Sequence, residues 1–233
     1  ISKGGIAMRI FSTLLGLALL SLSTLAAQPV QVKSVEGVWT ATVPAVATGI
    51  GTNKIEWGNP VHHHLGKSSY EFSGSAPAPF NTSVNSLFLL GKFKHTNNPI
   101  TGPSIESASL DVMTDLSIDG AMFNDVSLNF EFAHNETPNN GPHPADIVEF
   151  GALPVSQVLH VNNESYMIKV VGFINHNGWL NKLVTDEKSM NHAYIVAKIV
   201  TVPEPSTYLL LGSCLLLVAL FKSRQRESAH TSA

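Results

Sequence analysis

Two consecutive stretches near the middle of the chain alternate apolar and polar residues. Their apolar positions are Leu110, Val112, Leu116 and Ile118 in the first stretch, then Val126, Leu128, Phe130 and Phe132 in the second. A period of two is that of a β-strand with one buried face. Asp119 and Gly120 separate the stretches, and this pair favours a tight hairpin. The centre of the chain is therefore predicted to be an antiparallel ribbon that covers a core.

Further runs rich in Val, Ile, Phe and Tyr predict strands on both sides of this ribbon. They cover residues 38–42, 54–57, 69–72, 87–94, 146–150, 157–161, 166–174 and 192–200. No window between the two chain ends has a helical period, and no internal repeat is present. Short strands separated by Gly, Pro and Asn turns predict an all-β domain over residues 28–201. We expect a single antiparallel β-sandwich, jelly-roll-like in its strand order.

The N-terminal end has the parts of a secretory signal peptide. Met8 is the predicted start, Arg9 supplies a positive charge, and residues 10–22 are mostly apolar. Small residues follow, and we expect cleavage after Ala26 or Ala27. An uncleaved membrane anchor is the alternative, but the run is shorter than the ~20 residues that a span requires. Residues 1–27 are thus predicted to be the signal peptide region.

The C-terminal end carries the most specific signal in the chain. It contains, in order, the motif Pro203, Glu204 and Pro205, an apolar run at 208–221, and the basic residues Lys222, Arg224 and Arg226. The prolines exclude a helix through the motif. An apolar helix of about 15 residues is ~23 Å long, a marginal transmembrane span. The basic residues predict a stop on the cytoplasmic side, with the domain outside and residues 227–233 as a cytoplasmic tail.

This three-part end closely resembles the PEP-CTERM sorting signal over residues 202–226. The resemblance implies a membrane-embedded exosortase that recognises Pro203, Glu204 and Pro205 and cleaves nearby. It also implies a Gram-negative bacterium that makes exopolysaccharide and biofilm. The protein is then expected to be membrane-anchored during sorting, and afterwards on the cell surface or outside the cell. An ordinary single-pass anchor after a Pro-rich stalk is the other interpretation.

Several segments of the middle resemble the domain called choice-of-anchor K. They lie, in order, at residues 37–40, 53–58, 69–72, 89–100 and 145–148. The resemblance implies surface display and no established reaction. Many members of that family have paired cysteines before the Asp-Ile-Val segment, whereas this chain has Pro142, His143 and Pro144 there. A disulfide at that place is therefore absent.

Charge and cysteine content exclude several functions. Residues 28–201 contain nine Lys, no Arg and fifteen acidic residues. An acidic domain without a guanidinium group is a poor partner for nucleic acid, and polyanionic polysaccharides are disfavoured for the same reason. The single cysteine, Cys214, lies in the C-terminal apolar run. The domain therefore has no disulfide, no thiolate metal site and no cysteine nucleophile.

The metal-binding candidates are weak. Three consecutive histidines at residues 62–64 point to alternating sides of an extended segment, so we expect adventitious affinity there. The other histidines show no HxxxH, HExxH or His-x-His spacing, and no metal site is predicted from them. Asp119 and Asp125 are weak calcium candidates near a turn, and hairpin chemistry with solvated strand faces is the favoured explanation of both. We expect no cofactor unless calcium binds.

The remaining candidates concern carbohydrate. Trp179 follows an Asn-Gly turn and is the tryptophan most expected at a loop, where it could stack on a sugar ring. Glu131 and Glu149 could act in glycoside hydrolysis only across a shared cleft. We predict an exported, non-enzymatic protein, structural or adhesive in the envelope or the exopolysaccharide matrix. The alternatives are a carbohydrate-binding or calcium-stabilised adhesion module and, third, a glycoside hydrolase.

Overall fold

The computed structural model describes residues 28–139 and 145–203, with two short helical pieces at 212–213 and 215–217. It is 66% strand and 3% helix, so the predicted all-β class is confirmed. No helix among the described residues has the length and apolar character needed to cross a membrane. The predicted signal peptide lies outside these residues, and of the predicted sorting signal only residues 202–203, 212–213 and 215–217 are described.

Fifteen strands lie within the described residues. They are β1 (Pro29–Val43), β2 (Lys54–Trp57), β3 (Asn59–Pro60), β4 (Ser68–Gly74), β5 (Phe80–Ser83), β6 (Leu87–Asn97), β7 (Ile100–Thr101), β8 (Ser107–Ile118), β9 (Ala121–Asn135), β10 (Ala145–Ala152), β11 (Leu159–Val161), β12 (Glu164–Asn175), β13 (Gly178–Leu180), β14 (Leu183–Asp186) and β15 (Ser189–Thr201).

The strands form two large antiparallel sheets. Sheet A has the order β14-β10-β9-β8-β1-β5, and sheet B has the order β11-β12-β15-β6-β4-β2, with β13 beside β12. Strands β3 and β7 form a separate small ribbon. Sheet A contains the meander β8-β9-β10, three consecutive strands side by side.

The central hairpin agrees with the sequence prediction. Ile118 pairs with Ala121 across the turn, and both turn residues have positive φ, 49° at Asp119 and 81° at Gly120. This is the conformation that a two-residue hairpin turn requires. All eight predicted apolar positions of the ribbon are at most 2% exposed. The period of two therefore identifies the buried face of β8 and β9 correctly.

The core lies between the two sheets. Trp39 of sheet A contacts Tyr70 and Phe93 of sheet B, with ring centroids 5.4 and 6.1 Å apart. Phe132 of sheet A stacks on Phe93 at 5.0 Å. Burial of each such side chain contributes about 1.5–3 kcal/mol or more, so these cross-sheet aromatic contacts are a major part of the folding free energy.

The two ends of the described domain lie side by side. The Gln28 side-chain amide donates to a carboxylate oxygen of Glu164 at 3.0 Å. The Val202 backbone N–H donates to the Ser165 carbonyl at 2.7 Å, next to the point where β12 pairs with the end of β15. The chain therefore enters and leaves the domain at the same end.

Candidate metal centre

A cluster of polar side chains occupies the inward face of three strands, at the end of the domain opposite to the chain ends. His95 lies on β6, His134 near the end of β9 and Asp146 near the start of β10, and their side chains are fully buried. Glu136 follows β9 and its side chain is 21% exposed. The cluster thus combines residues from both sheets.

The alternation of each strand explains why these polar side chains point inward. In β6 the buried register runs from Phe93 through His95 to Asn97. In β9 it runs from Phe132 to His134. Each strand keeps its period of two to the end, so a polar residue in the apolar register is carried into the interior.

The reactive atoms of the cluster converge. His134 Nε2 lies 3.3 Å from a carboxylate oxygen of Glu136 and 3.8 Å from Oδ2 of Asp146. His95 Nε2 lies 3.9 Å from the same Oδ2 of Asp146. Among the described residues, neither His95 Nε2 nor Asp146 Oδ2 has a hydrogen-bond partner.

The opposite side of each group is held by a hydrogen bond. Tyr70 OH lies 2.5 Å from His134 Nδ1, and Thr185 Oγ1 lies 3.0 Å from His95 Nδ1. The Thr137 backbone N–H donates to Oδ1 of Asp146 at 3.0 Å. These contacts hold the ring orientation of each imidazole and the position of the Asp146 carboxylate.

Glu136 has a similar support, because the Ser104 hydroxyl donates to its carboxylate at 2.6 Å. Both residues line a surface depression above the cluster, together with Ile100, Gly102, Thr137 and Asn139. The cluster is therefore reached from solvent through the Glu136 side.

Burial dominates the protonation equilibria. It raises the pKa of Asp146 to about 7, and the Glu136 and Glu187 carboxylates add to this rise. Burial also lowers the pKa of His95 well below its usual range, with a further contribution from His134. For Glu136, burial acts upward, but hydrogen bonds from His134 and Ser104 outweigh it and leave the pKa lowered. His95 is consequently neutral at physiological pH, with a lone pair on one ring nitrogen.

The arrangement offers nitrogen and oxygen donors to a divalent cation. One ligand atom each of His134, Glu136 and Asp146 lies within 4.8 Å of the others. Neutral imidazole and carboxylate are common ligands of first-row transition metals. Sequence reasoning missed this cluster, although a signal was present: His134 and Glu136 are two residues apart and directly continue the alternation of Phe130 and Phe132.

The structure does not bring the two calcium candidates together. Asp119 occupies the hairpin turn, whereas Asp125 lies in an irregular part of β9, where its N–H donates to Asp115 Oδ1 at 2.9 Å. About four residue pairs of the ribbon separate the two aspartates, roughly 13 Å. Each carboxylate therefore stands in its own local environment.

The predicted carbohydrate candidate is exposed. Trp179 lies on β13 next to the Asn-Gly turn and is 52% exposed, whereas Trp39 and Trp57 are fully buried. Glu131 and Glu149 are exposed residues of sheet A. Of the predicted processing residues only Pro203 is described, and it is exposed. Ala26, Ala27, Glu204, Pro205, Lys222, Arg224 and Arg226 lie outside the described residues.

The chain was compared with known proteins by family and by sequence. No family model matches it, and no curated protein matches it. The assignment of the cluster therefore rests on the geometry of this chain.

Proposed function

We propose that this protein is exported, sorted to the cell surface by an exosortase, and acts there without enzymatic activity. In this proposal the two sheets form a single β-sandwich ectodomain that is a structural or adhesive component of the envelope or the exopolysaccharide matrix. The motif Pro203, Glu204 and Pro205 is the recognition element, and the basic residues after the apolar run hold it at the membrane.

The observation that carries the proposal is the position of the domain boundaries. Strand β1 begins at Pro29, directly after the predicted cleavage at Ala26 or Ala27. Strand β15 ends at Thr201, two residues before the exposed Pro203. Cleavage at either predicted site would therefore remove no strand and break no hydrogen bond of a sheet, as a processed surface protein requires.

The adjacent chain ends support display on a membrane. Gln28 and Val202 leave the domain at one end, so an anchor after Pro203 would hold that end near the bilayer. The cluster around His95 lies at the other end, because His95 pairs with Asn191 at the start of β15. Ten residues separate Asn191 from Thr201, which is roughly 33 Å of strand.

The test replaces Pro203, Glu204 and Pro205 with alanine in the native host. We expect the native protein to lose its C-terminal segment during sorting and the variant to keep it, because the motif is the recognition element. Intact mass and cell fractionation measure both outcomes. The matched control replaces Glu227 and Ser228, beyond the basic residues, and should be processed normally. Full-length protein in the inner membrane for both native and variant chains would refute the sorting proposal.

Carbohydrate binding is the second candidate, and the outer face of sheet B favours it. Trp179 pairs with Ile174, Ile174 with Tyr194, and Tyr194 with Lys92, so these side chains share one face. Tyr194 and Lys92 also line a groove of about 620 Å³, together with Phe80 and Phe88. Two exposed aromatic rings on one sheet face form a surface suited to stacking against sugar rings.

The test of this candidate is Trp179→Ala, assayed by retention on a neutral polysaccharide in affinity electrophoresis. If the face binds sugar, we expect the variant to lose most of its retention while its thermal unfolding is unchanged, because Trp179 is half exposed. Met190→Ala, at a position that is also more than half exposed, is the control. Equal migration of both variants and the wild type would eliminate this candidate.

A further inference from the structure

The cluster at the far end of the domain contains two buried polar atoms that nothing among the described residues satisfies. They are Nε2 of His95 and Oδ2 of Asp146, both on side chains with 0% exposure. A buried polar atom without a partner is rare in folded proteins and calls for an explanation, such as a bound ion. Here the two atoms lie 3.9 Å apart, too far for a hydrogen bond, and Oδ2 of Asp146 also lies 3.8 Å from Nε2 of His134.

We propose that His95, His134, Glu136 and Asp146 form a closed, four-ligand structural site for a divalent transition metal of the zinc type. The ligand atoms are Nε2 of the two imidazoles and one oxygen of each carboxylate. This inference is independent of the proposed sorting, because it concerns only the interior of the described domain.

The ligand atoms of His134, Glu136 and Asp146 already lie within 4.8 Å of one another. His95 lies outside this group, and its ring would have to move inward to become the fourth ligand of a tetrahedral ion. Bonds of about 2.0–2.1 Å in tetrahedral geometry place neighbouring ligand atoms about 3.3 Å apart. His134 Nε2 and the Glu136 oxygen are already at 3.3 Å. The contacts of Asp146 Oδ2 with the two imidazoles, at 3.8 and 3.9 Å, need to contract by about half an ångström. The two imidazole rings meet edge to face, with centroids 5.5 Å apart, so that they converge without stacking.

The surrounding hydrogen bonds prepare the ligands. Without metal, His134 Nε2–H donates to Glu136, and a bound metal would displace this proton. With Nδ1–H of His134 then donating to the Tyr70 oxygen, and Nδ1–H of His95 donating to Thr185 Oγ1, each Nε2 would present a lone pair to the ion. Thr137 N–H fixes the other oxygen of Asp146. Metal-binding histidines and carboxylates normally have such outer partners, and these partners select the tautomer and the ring orientation.

The donor set selects the class of metal. Two imidazole nitrogens and two carboxylate oxygens suit zinc and its neighbours, whereas calcium requires six to eight oxygen ligands. Two carboxylates also balance the charge of a divalent ion, which matters in a buried site. Four protein ligands leave no open coordination position, so the site is structural and not catalytic.

The metal would join the two sheets. His95 belongs to sheet B, and His134 and Asp146 belong to sheet A. The domain has no cysteine, so a disulfide cannot supply such a link. The ion would take that role at the end of the domain farthest from the chain ends, and sheet packing there would depend on metal.

The test uses the full chain, purified without a polyhistidine tag and stripped with a chelator. Histidines 62–64 are replaced by serine in all samples, because their exposed imidazoles bind metal adventitiously. We expect one equivalent of zinc per chain by mass spectrometry of metals and by titration calorimetry. Zinc at about 1,000 times its Kd should raise Tm by on the order of 10 °C.

Two variants separate this site from other binding. His95→Gln and Asp146→Asn, made in the same background, should each weaken zinc binding by on the order of 100-fold and abolish the rise in Tm. His160→Gln, a histidine exposed on β11, is the matched control and should bind like its parent. Equal zinc affinity in all three variants, or no zinc binding by the serine background itself, would overturn the proposal.

A spectroscopic measurement covers the case in which a variant fails to fold. Cobalt(II) in the serine background should give the strong visible bands of a tetrahedral site, and one equivalent of zinc should remove them. The weak spectrum of octahedral cobalt, or a rise in Tm with calcium and none with zinc, would reject a closed four-ligand site.

Discussion

The two ends of strand β9 carry similar residue types in very different surroundings. At its start, Asp119 and Asp125 lie in a turn and a strand irregularity near the chain ends of the domain. At its other end, His134 and Glu136 approach Asp146 and His95 in the interior. The aspartates at the start are exposed, whereas His134, His95 and Asp146 are buried.

Residues that are close in sequence do not necessarily form a ligand site. Asp119 and Asp125 are six residues apart, yet the extended ribbon separates them by roughly 13 Å. His95 and Asp146 are far apart in the chain, but strands from two facing sheets bring them to 3.9 Å. Convergence requires side chains on facing inward surfaces, and it also makes each unsatisfied atom costly.

The largest loss of stability is expected for a substitution between these two ends, in the aromatic core that β9 covers. Phe132 is fully buried and contacts rings of both sheets, so Phe132→Ala should lower the free energy of unfolding by about 3–5 kcal/mol. Urea denaturation followed by intrinsic fluorescence measures the change. Met122→Ala, half exposed near the start of the strand, should change it by less than about 1 kcal/mol. Equal losses in both variants would contradict the assignment of the inward face.

An intermediate loss of stability is expected at the buried cluster around His134. Tyr70→Phe removes the hydroxyl that contacts His134 Nδ1 and leaves a buried nitrogen without its partner. We expect the free energy of unfolding to fall by about 1–3 kcal/mol, by the same denaturation measurement. Tyr194→Phe is the matched control on the outer face of sheet B and should be neutral. A neutral Tyr70→Phe would show that the hydroxyl does not hold the cluster.

The smallest change in stability is expected at the exposed aspartates near the start of β9. Asn tolerates positive φ as well as Asp does, so Asp119→Asn and Asp125→Asn should each change stability by less than about 0.5 kcal/mol. Calcium should leave the Tm of the wild type unchanged, because the two carboxylates stand apart. Differential scanning fluorimetry with and without calcium checks both statements. A calcium-dependent rise in Tm that either variant abolishes would restore the calcium hypothesis and show that Asp119 and Asp125 also form a ligand site.

Most long strands could be predicted from the sequence, because their own side chains alternate. The predicted run at 54–57 coincides with β2, the run at 157–161 begins two residues before β11, and the other runs fall within β1, β4, β6, β10, β12 and β15. Strands β3, β5, β7, β13 and β14 were not predicted. Each has two to four residues, a length at which a strand is hard to distinguish from a loop by its sequence pattern, and of the strands this short only β2 and β11 were predicted. Their formation depends on pairing with a longer neighbour, which local sequence does not specify.

The candidate metal centre likewise combines a residue that its own strand pattern predicts with partners that only the fold brings near. From the alternation alone, His134 could be assigned to the inward face of β9, since it follows Phe130 and Phe132 in register. Its partners could not be assigned, because Asp146 follows on the next strand and His95 comes from the opposite sheet. Histidine motifs at fixed spacing describe sites within one element, and this cluster is assembled from three strands.

The all-β class, the hairpin at Asp119 and Gly120, and the inward face of the central strands could all be predicted from the sequence alone. These properties follow from side-chain period and turn stereochemistry, which act over a few residues. By contrast, the adjacency of the chain ends, and the contacts of His134 and His95 with Asp146 far from those ends, become apparent only in the folded domain. The stacking and order of the strands set those distances, and stacking is a collective result of packing the whole core.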